Sequence, residues 1–231
     1  MPMETVIATE RLNKKFGEGD LQINALREVD LTIQRGEFTA IVGPSGSGKT
    51  TLLNILCGLD LPTSGEIRVS GKPLSSMNGT ELSRFRRNHI GLVFQAYNLI
   101  PVLTVLENIE YVMLLQGISP RERKDRVRDF LGRIGLEGKE KRFPSELSGG
   151  QQQRVAIARA MVSEPDLILA DEPTANLDSE TGSQLLDMMR RFNREQKMTF
   201  IFSTHDPMIM ERATRLITLT DGKIVQDERR E

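Results

Sequence analysis

Short apolar or alternating segments dominate the first third of the chain, and polar turns such as Arg35-Gly36 separate them. Alternation with a period of two is typical of strands that bury one face. The pattern therefore predicts strands at residues 6–12, 23–26, 29–33, 38–42 and 66–69. Because most of these strands are short and alternating, we expect a small antiparallel sheet beside the strand at residues 38–42.

The middle of the chain has helical spacing instead. Residues 79–133 carry charged stretches between apolar positions, interrupted by the apolar run 90–94 and by two prolines, which predicts an inserted α-helical lobe. The later runs 167–170 and 199–202 are apolar except for Thr199, as in strands buried on both faces of a parallel sheet. A helix is predicted between them at 179–195. The chain ends in a hairpin pattern, with strands at 216–219 and 223–225.

Together these elements predict an α/β fold with a mostly parallel core sheet, helices on both faces, a small antiparallel β subdomain and a helical lobe within residues 79–162. A length of 231 residues and a hydrophobic content of 38% are enough for one large domain, so we expect residues 1–231 to form it. The single cysteine, Cys57, excludes an intrachain disulfide, and its apolar neighbours predict a buried, inert thiol.

Charge and hydropathy limit the partners. The 31 basic and 32 acidic residues give a formal charge of −1, so we expect no nucleic-acid partner. Nowhere do about 18 apolar residues run without interruption, and the first residues lack the pattern of a secretory signal. We therefore expect a cytosolic protein, or one attached peripherally to a membrane.

The segment GPSGSGKT at residues 43–50 follows the strand 38–42 and precedes a helix-like run. Strand, glycine-rich loop and helix in this order predict a phosphate-binding loop. Glycines let backbone amides approach an anion, and the helix adds the positive end of its dipole. Lys49 would supply a catalytic positive charge, and the Thr50 hydroxyl a ligand for Mg²⁺. The expected ligand-binding residues of the loop are Gly43, Ser45, Gly46, Ser47, Gly48, Lys49, Thr50 and Thr51.

Two carboxylates, Asp171 and Glu172, close the apolar strand at 167–170. Ligands of open parallel sheets bind at the carboxyl ends of the strands. We expect Asp171 to face the Mg²⁺ shell and Glu172 to position or deprotonate a water molecule. An acidic pair alone could instead be an ordinary helix cap, but the complete phosphate-binding loop favours the catalytic interpretation.

A second candidate anion site lies at residues 147–151, which read LSGGQ before a helix predicted at 151–162. Ser148 can cap this helix, and Gly149 and Gly150 leave room for backbone amides to meet a phosphate. The tripeptide alone is also typical of a plain turn. Gln151 completes this candidate site. Together with the phosphate-binding loop, it gives the chain two helix starts that are predicted to bind phosphate.

These motifs resemble the nucleotide-binding subunits of ATP-binding cassette (ABC) transporters, whose signature is LSGGQ. The resemblance runs from about residue 8 to residue 225 and implies the P-loop NTPase fold of that family. In the family, the signature of one subunit completes the ATP site on the phosphate-binding loop of another. The resemblance therefore implies an ATPase with ATP and Mg²⁺ bound, in a head-to-tail homodimer that encloses two ATP molecules.

The resemblance also implies roles for further residues. Gln95 would sense Mg²⁺ and the membrane partner, Asp178 would link the two sites, and His205 would contact the terminal phosphate. Phe16 stands where the family usually has a tyrosine that stacks on adenine. The alternative places Phe16 in the core of the small sheet.

We expect closure of the dimer to act on a membrane permease. The permease is expected to dock near Gln95 to Leu103, because residues 96–103 are unusually apolar for a surface loop. Packing inside the helical lobe is the alternative. Residues 77–93, 145–159 and 171–178 are most similar to the bacterial lipoprotein-releasing and macrolide-exporting group, which implies a location at the cytoplasmic side of the inner membrane. Alternatives are a signalling ATPase of the cell-division type, a soluble ABC ATPase and a small-molecule kinase.

Overall fold

The computed structural model describes residues 4–230. Residues 1–3, part of the start that shows no secretory pattern, and residue 231 lie outside the described residues. The strands are β1 (Thr5–Phe16), β2 (Ile23–Gln34), β3 (Phe38–Val42), β4 (Ser64–Val69), β5 (Lys72–Pro73), β6 (Ile90–Val93), β7 (Leu167–Asp171), β8 (Thr199–Ser203), β9 (Arg215–Thr220) and β10 (Lys223–Arg229). The helices are α1 (Lys49–Leu56), α2 (Gly79–His89), α3 (Val105–Leu115), α4 (Pro120–Arg133), α5 (Gly149–Met161), α6 (Ser179–Gln196) and α7 (Pro207–Arg212).

The core sheet has six strands in the order β10-β9-β3-β8-β7-β6. The pairs between β9 and β6 are parallel, and only β10 runs antiparallel to its neighbour β9. Every residue of β3 is buried, with Phe38 and Ala40 in one apolar cluster and Ile41 in another. A strand that contributes to two clusters has both faces covered, which confirms the predicted parallel core.

The smaller sheet is antiparallel, with strand order β2-β1-β4-β5. Its apolar face packs over α1 in the cluster that also holds Ile41. The prediction of two strands at 23–26 and 29–33 was wrong, since β2 is one strand over Ile23–Gln34. Glu28 interrupts the alternation because it adopts φ 47°, and its amide donates to Asn13 Oδ1 over 3.0 Å. This irregular position is a bulge within one strand rather than a turn between two.

The helical lobe contains α3 and α4, which pack against each other and, through α3, against α5. Helix starts are fixed by reciprocal caps, as at Asn78 with Glu81 and Thr104 with Glu107. The apolar run inside the helical region is β6, an edge strand of the core sheet, so the lobe begins after it. Among residues 4–230, no helix combines the length and apolar character needed to cross a membrane.

Cys57 directly follows α1 and is buried, as the sequence predicts. Burial raises the pKa of its thiol to about 11. A thiol with so high a pKa is almost entirely protonated at neutral pH and is therefore a poor nucleophile.

Candidate active site

Four neighbouring strands of the core sheet end at one edge. Because β3, β8, β7 and β6 are parallel, their carboxyl ends gather the phosphate-binding loop, His205, the Asp171-Glu172 pair and Gln95. These residues are up to about 160 positions apart in sequence. The topology thus brings together the motifs that the sequence analysis identified separately.

The phosphate-binding loop depends on glycine at two positions. Gly43 has φ 153°, and a Cβ atom there would lie 2.0 Å from the carbonyl oxygen of Leu219. Gly48, which caps α1, has φ 103°, and its Cβ would lie 2.5 Å from the carbonyl oxygen of Ala25. Any side chain at either position would therefore displace backbone, so the two glycines fix how closely the loop packs against its surroundings.

Lys49 lies across the loop at the start of α1. Its Nζ donates hydrogen bonds to the carbonyl oxygens of Gly43, at 2.7 Å, and Pro44, at 3.0 Å. Ser47 is only 2% exposed, so its side chain lies beneath the loop. The ammonium group of Lys49 stays beside the loop, where phosphate oxygens would bind, and the role of Ser47 in ligand binding stays a prediction.

The loop borders a cavity of about 440 Å³, whose other walls come from β2 and from the turn before β10. It is lined by Ile23, Asn24, Ala25, Arg27, Gly46, Ser47, Gly48, Lys49, Thr50, Thr51, Asp221 and Gly222. Phe16 pairs with Ile23 across the small sheet and is 45% exposed. The alternative that Phe16 is a core residue is therefore wrong.

Thr50 and Asp171 face each other at the strand ends. The Thr50 hydroxyl lies 3.4 Å from Asp171 Oδ2, close to the spacing of about 3.0 Å between adjacent oxygen ligands of one octahedral Mg²⁺ ion. Among the described residues no three His, Cys, Asp or Glu side chains form a cluster that could hold a metal ion. The hydroxyl and carboxylate oxygens of Thr50 and Asp171 fit Mg²⁺, which in nucleotide sites usually takes its other ligands from phosphate and water.

Glu172 is held at its backbone and at both carboxylate oxygens. Its φ of 46° is in the left-handed region, and its amide donates to the Ser203 carbonyl over 2.9 Å. The buried Thr204 hydroxyl donates to Oε2 over 3.1 Å, and His205 Nδ1 lies 2.7 Å from Oε1. Strained backbone at such a position is typical of functional sites. Sequence reasoning missed Thr204, which no motif marks.

The signature segment lies at the start of α5. Ser148 Oγ accepts from the Gln151 amide at 3.4 Å, and Gln151 Oε1 accepts from the Ser148 amide at 3.2 Å. The reciprocal cap starts the helix at Gly149, two residues before the predicted start. A Cβ on Gly150 would lie 2.5 Å from Thr181 Cγ2. The signature backbone therefore packs directly on the first turn of α6.

Asp178 caps α6 beside the signature. Its carboxylate accepts hydrogen bonds from the Thr181 amide, at 2.9 Å, and from the Thr181 hydroxyl, at 2.7 Å. The hydrogen bond from the Thr181 amide lowers the pKa of Asp178. The signature, Asp178 and their neighbours line a separate cavity of about 460 Å³. One chain therefore presents two distinct cavities, one at each helix start that is expected to bind phosphate.

Gln95 follows β6 and is exposed, and its carbonyl accepts a 2.9 Å hydrogen bond from Asn176 Nδ2. After it, Leu99 packs against the core whereas Val102 is 77% exposed. The packing interpretation therefore holds for Leu99, whereas docking of a permease on this segment stays a prediction. Gln153 is a further residue that sequence reasoning missed: it is fully buried and donates to the Pro173 carbonyl, next to Glu172.

A phosphate-binding loop, a carboxylate pair at the neighbouring strand end and a separate helical lobe with LSGGQ define an ATP-hydrolysing cassette domain. The family model described as ABC transporter matches residues 26–175. The chain belongs to the ABC transporter ATP-binding family and is an ATPase of that family.

Curated relatives agree over nearly the whole chain. It is 46% identical over 211 residues to the ABC transporter ATP-binding protein YtrE of Bacillus subtilis, covering 91% of this chain and 90% of YtrE. It is 45% identical over 224 residues to the macrolide export ATP-binding/permease protein MacB of Bartonella quintana, covering 97% of this chain. The chain spans only 34% of the length of that MacB protein.

Solved structures support the same fold. A structure of the ATP-binding cassette MJ0796, described as a dimer in a post-hydrolysis state bound to ADP and Pi, aligns with a TM-score of 0.89 and 41% identity. The alignment covers 97% of this chain and 99% of that chain. The predicted α/β architecture, with its β subdomain and helical lobe, is therefore confirmed.

Proposed function

We propose that residues 1–231 act as one ATPase domain that dimerises head to tail around two ATP molecules with Mg²⁺ and drives a bacterial membrane permease. The permease driven in this way would export a substrate, release lipoproteins or transmit mechanical force. The dimer and the permease coupling go beyond family membership, and each is supported by a separate feature of the molecule.

The main support for the proposed dimer is that the two cavities are separate within one chain. The phosphate-binding loop lines one of them, and Ser148 to Gln151 line the other. Each cavity has a helix start that favours anions, but each is open and one-sided by itself. If a second copy brings its signature over the loop of the first, both half-sites are completed at once. Dimers of the related cassette MJ0796 support this arrangement.

At the phosphates, the chain would supply mainly positive charge and hydrogen-bond donors. Loop amides and the Lys49 ammonium would neutralise the β- and γ-phosphate oxygens, and the partner's signature helix would add a second positive helix end. Thr50, Asp171 and Gln95 would hold Mg²⁺, which withdraws charge from the phosphate oxygens when bound. Phe16 would stack on adenine.

Glu172 would orient the attacking water and accept its proton. Both oxygens of this carboxylate are already held, by Thr204 and His205, so its position costs no reorganisation during reaction. His205 is largely exposed, and it would also contact the γ-phosphate. Asp178, beside the signature, would connect one site to the other.

The permease contact is proposed for the segment Gln95 to Leu103 and the neighbouring face of α3. Val102, Tyr111, Leu114 and Leu115 expose 38–77% of their surface, which is unusual for large apolar side chains on one region. The Bartonella relative is named as an export ATP-binding/permease protein, in which both parts share one chain. This name supports the proposal that the chain works at the cytoplasmic face of the inner membrane, attached through a permease.

The dimer requirement is tested by the dependence of ATP turnover on protein concentration. If only dimers hydrolyse ATP, the rate per subunit rises with concentration until the dimer is saturated. A rate per subunit that stays constant over a thousandfold dilution, down to nanomolar protein, would show that one chain contains a complete site.

A further inference from the structure

The segment after Gln95 is fastened to the rest of the molecule by side chains from three places. Asn176 donates to the Gln95 carbonyl, as described above, and Asn108 of α3, which is fully buried, donates to the Ile100 carbonyl over 3.1 Å. Between these points Arg159 of α5 holds the middle of the segment. Polar side chains thus fix the backbone of a loop that has no regular structure of its own.

Arg159 binds two consecutive carbonyl groups. Its Nη1 donates to the Asn98 carbonyl over 2.6 Å and its Nη2 to the Tyr97 carbonyl over 3.0 Å. Tyr97 and Asn98 have φ 57° and 48°, in the left-handed region, so the turn between them is strained. The planar guanidinium spans both carbonyls at once, which the point charge of a lysine cannot do.

The surroundings of Arg159 show that these carbonyls are its main partners. Burial lowers the pKa of the guanidinium, and no carboxylate in the described part of the chain counters that effect. A half-buried cation without a carboxylate is costly unless its donors are satisfied. The two backbone carbonyls accept hydrogen bonds from both terminal nitrogens of the guanidinium, so the contact is directed at the segment and is not a surface ion pair.

Tyr97 also touches the other end of the same helix. A Cβ on Gly149 would lie 2.9 Å from the Tyr97 hydroxyl, so that hydroxyl lies against the first residue of α5. The carbonyl of Tyr97 meets the end of the Arg159 side chain, which comes from a position ten residues later in α5. Tyr97 therefore contacts the signature helix through both its side chain and its backbone.

We propose that Arg159 is a positioning residue that joins the signature helix to the permease-facing segment 96–103, so that the two move as one body. The inference rests on the proposed function, because it assigns the route between ATP closure and the permease. Arg159 touches no reacting atoms. Closure of the signature over a partner's ATP would then displace the segment directly, without passing through Gln95.

The test is hydrogen–deuterium exchange of residues 96–103 in an Arg159→Gln variant. Without nucleotide, we expect the amides of this segment to exchange about tenfold faster than in the parent protein, because two hydrogen bonds to its backbone are lost. Arg159→Lys should give an intermediate rate. In a Glu172→Gln background, ATP should protect the segment in the parent but no longer in the Arg159→Gln variant.

Arg123→Gln is the matched control. Arg123 is a largely buried arginine of α4 that pairs with Glu110 at 3.0 Å and the Ile118 carbonyl at 2.7 Å, without a hydrogen bond to the segment. Unchanged exchange of 96–103 in Arg159→Gln without nucleotide, or an equal increase in Arg123→Gln, would overturn the proposal. Failure of the parent to dimerise with ATP would instead reject the proposed function, while the nucleotide-free comparison still decides the role of Arg159.

Discussion

The imidazole Nδ1 of His205 lies 2.7 Å from Oε1 of Glu172, although the two residues come from the ends of different strands. Because β7 and β8 are parallel neighbours, with Asp171 paired to Ser203, the residues that follow them emerge side by side. The contact links the group expected to activate water to the group expected to meet the γ-phosphate. It also restricts the rotamers of the Glu172 carboxylate.

We expect His205→Ala to lower the maximal rate of ATP hydrolysis about a hundredfold, because Glu172 loses one of its two side-chain partners and the γ-phosphate loses a donor. Thermal stability should change little, since the imidazole is exposed. Phosphate release at saturating ATP measures the rate, and equilibrium binding should show ATP affinity within a few-fold of the parent. A rate reduced less than threefold would remove His205 from the mechanism.

The loop glycines allow a comparison within one motif. Gly48→Ala should lower the free energy of unfolding by about 2–4 kcal/mol and abolish ATP binding, because its Cβ would meet the Ala25 carbonyl at 2.5 Å. Gly46→Ala is the control: its φ of 77° is also unfavourable, but no atom lies within 4 Å of the added Cβ. Chemical unfolding and ATP binding should separate the two variants. Equal effects would show that strain at positive φ, and not contact, dominates.

Gly150→Ala should leave ATP binding to the single chain intact but prevent ATP-driven dimerisation. The added Cβ would lie 2.5 Å from Thr181 Cγ2, so the signature must move away from α6. Thr181→Ser removes that methyl group but keeps the hydroxyl that binds Asp178. The double variant should therefore recover dimerisation as measured by size-exclusion chromatography. No recovery would mean that the two residues do not interact as described.

Stability in acid should depend on Arg215. This buried guanidinium binds Asp227 with two hydrogen bonds of 2.7 and 2.6 Å and Glu37 with one of 2.8 Å. Hydrogen bonding from Arg215 lowers the pKa of Asp227 below its ordinary value of 3.8. A lowered carboxyl pKa stabilises the folded state above that ordinary value, and the contribution is lost as the pH falls further.

We therefore expect Arg215→Met to lower the free energy of unfolding by about 1–2 kcal/mol at pH 7, since the exposed Asp227 loses two hydrogen bonds and Glu37 keeps only Arg229 as an ion-pair partner. The difference in free energy of unfolding between the parent and the variant should stay constant from about pH 7 to 5 and shrink below about pH 4. Urea unfolding across this range measures it. A difference that grows on acidification would contradict the assigned role of the Asp227 pair.

The sequence predicted the parallel core and the site motifs because short-range patterns encode them. A mainly apolar run such as β3 and a glycine-rich loop before a helix can be identified without knowledge of distant residues. The predicted strand boundaries were less accurate where a local polar pair interrupts a strand that pairing across the sheet continues. At Glu28 a polar pair broke the alternation of β2, and only the partner Asn13 across the sheet shows that the strand continues.

The contacts that hold the site were not predictable in the same way. Thr204, Gln153 and Arg159 each act through a hydrogen bond to a residue between about 20 and 62 positions away. Nothing in the spacing of a single sequence identifies such pairs, because they arise from the order of strands in the sheet and from the packing of α5 against loops. The hydrogen bond between Asp178 and Thr181 is local instead, because the two residues are three positions apart, and such a cap can be predicted from sequence spacing.

The central claim is that two copies complete each other's ATP sites, and the most direct measurement is light scattering of the Glu172→Gln variant. With the proton acceptor removed, ATP should bind but turn over slowly, so the closed state accumulates. We predict a mass near 52 kDa, twice the 26.0 kDa of one chain, with ATP and Mg²⁺, and near 26.0 kDa without nucleotide. A mass that stays at 26.0 kDa with ATP bound would contradict the account.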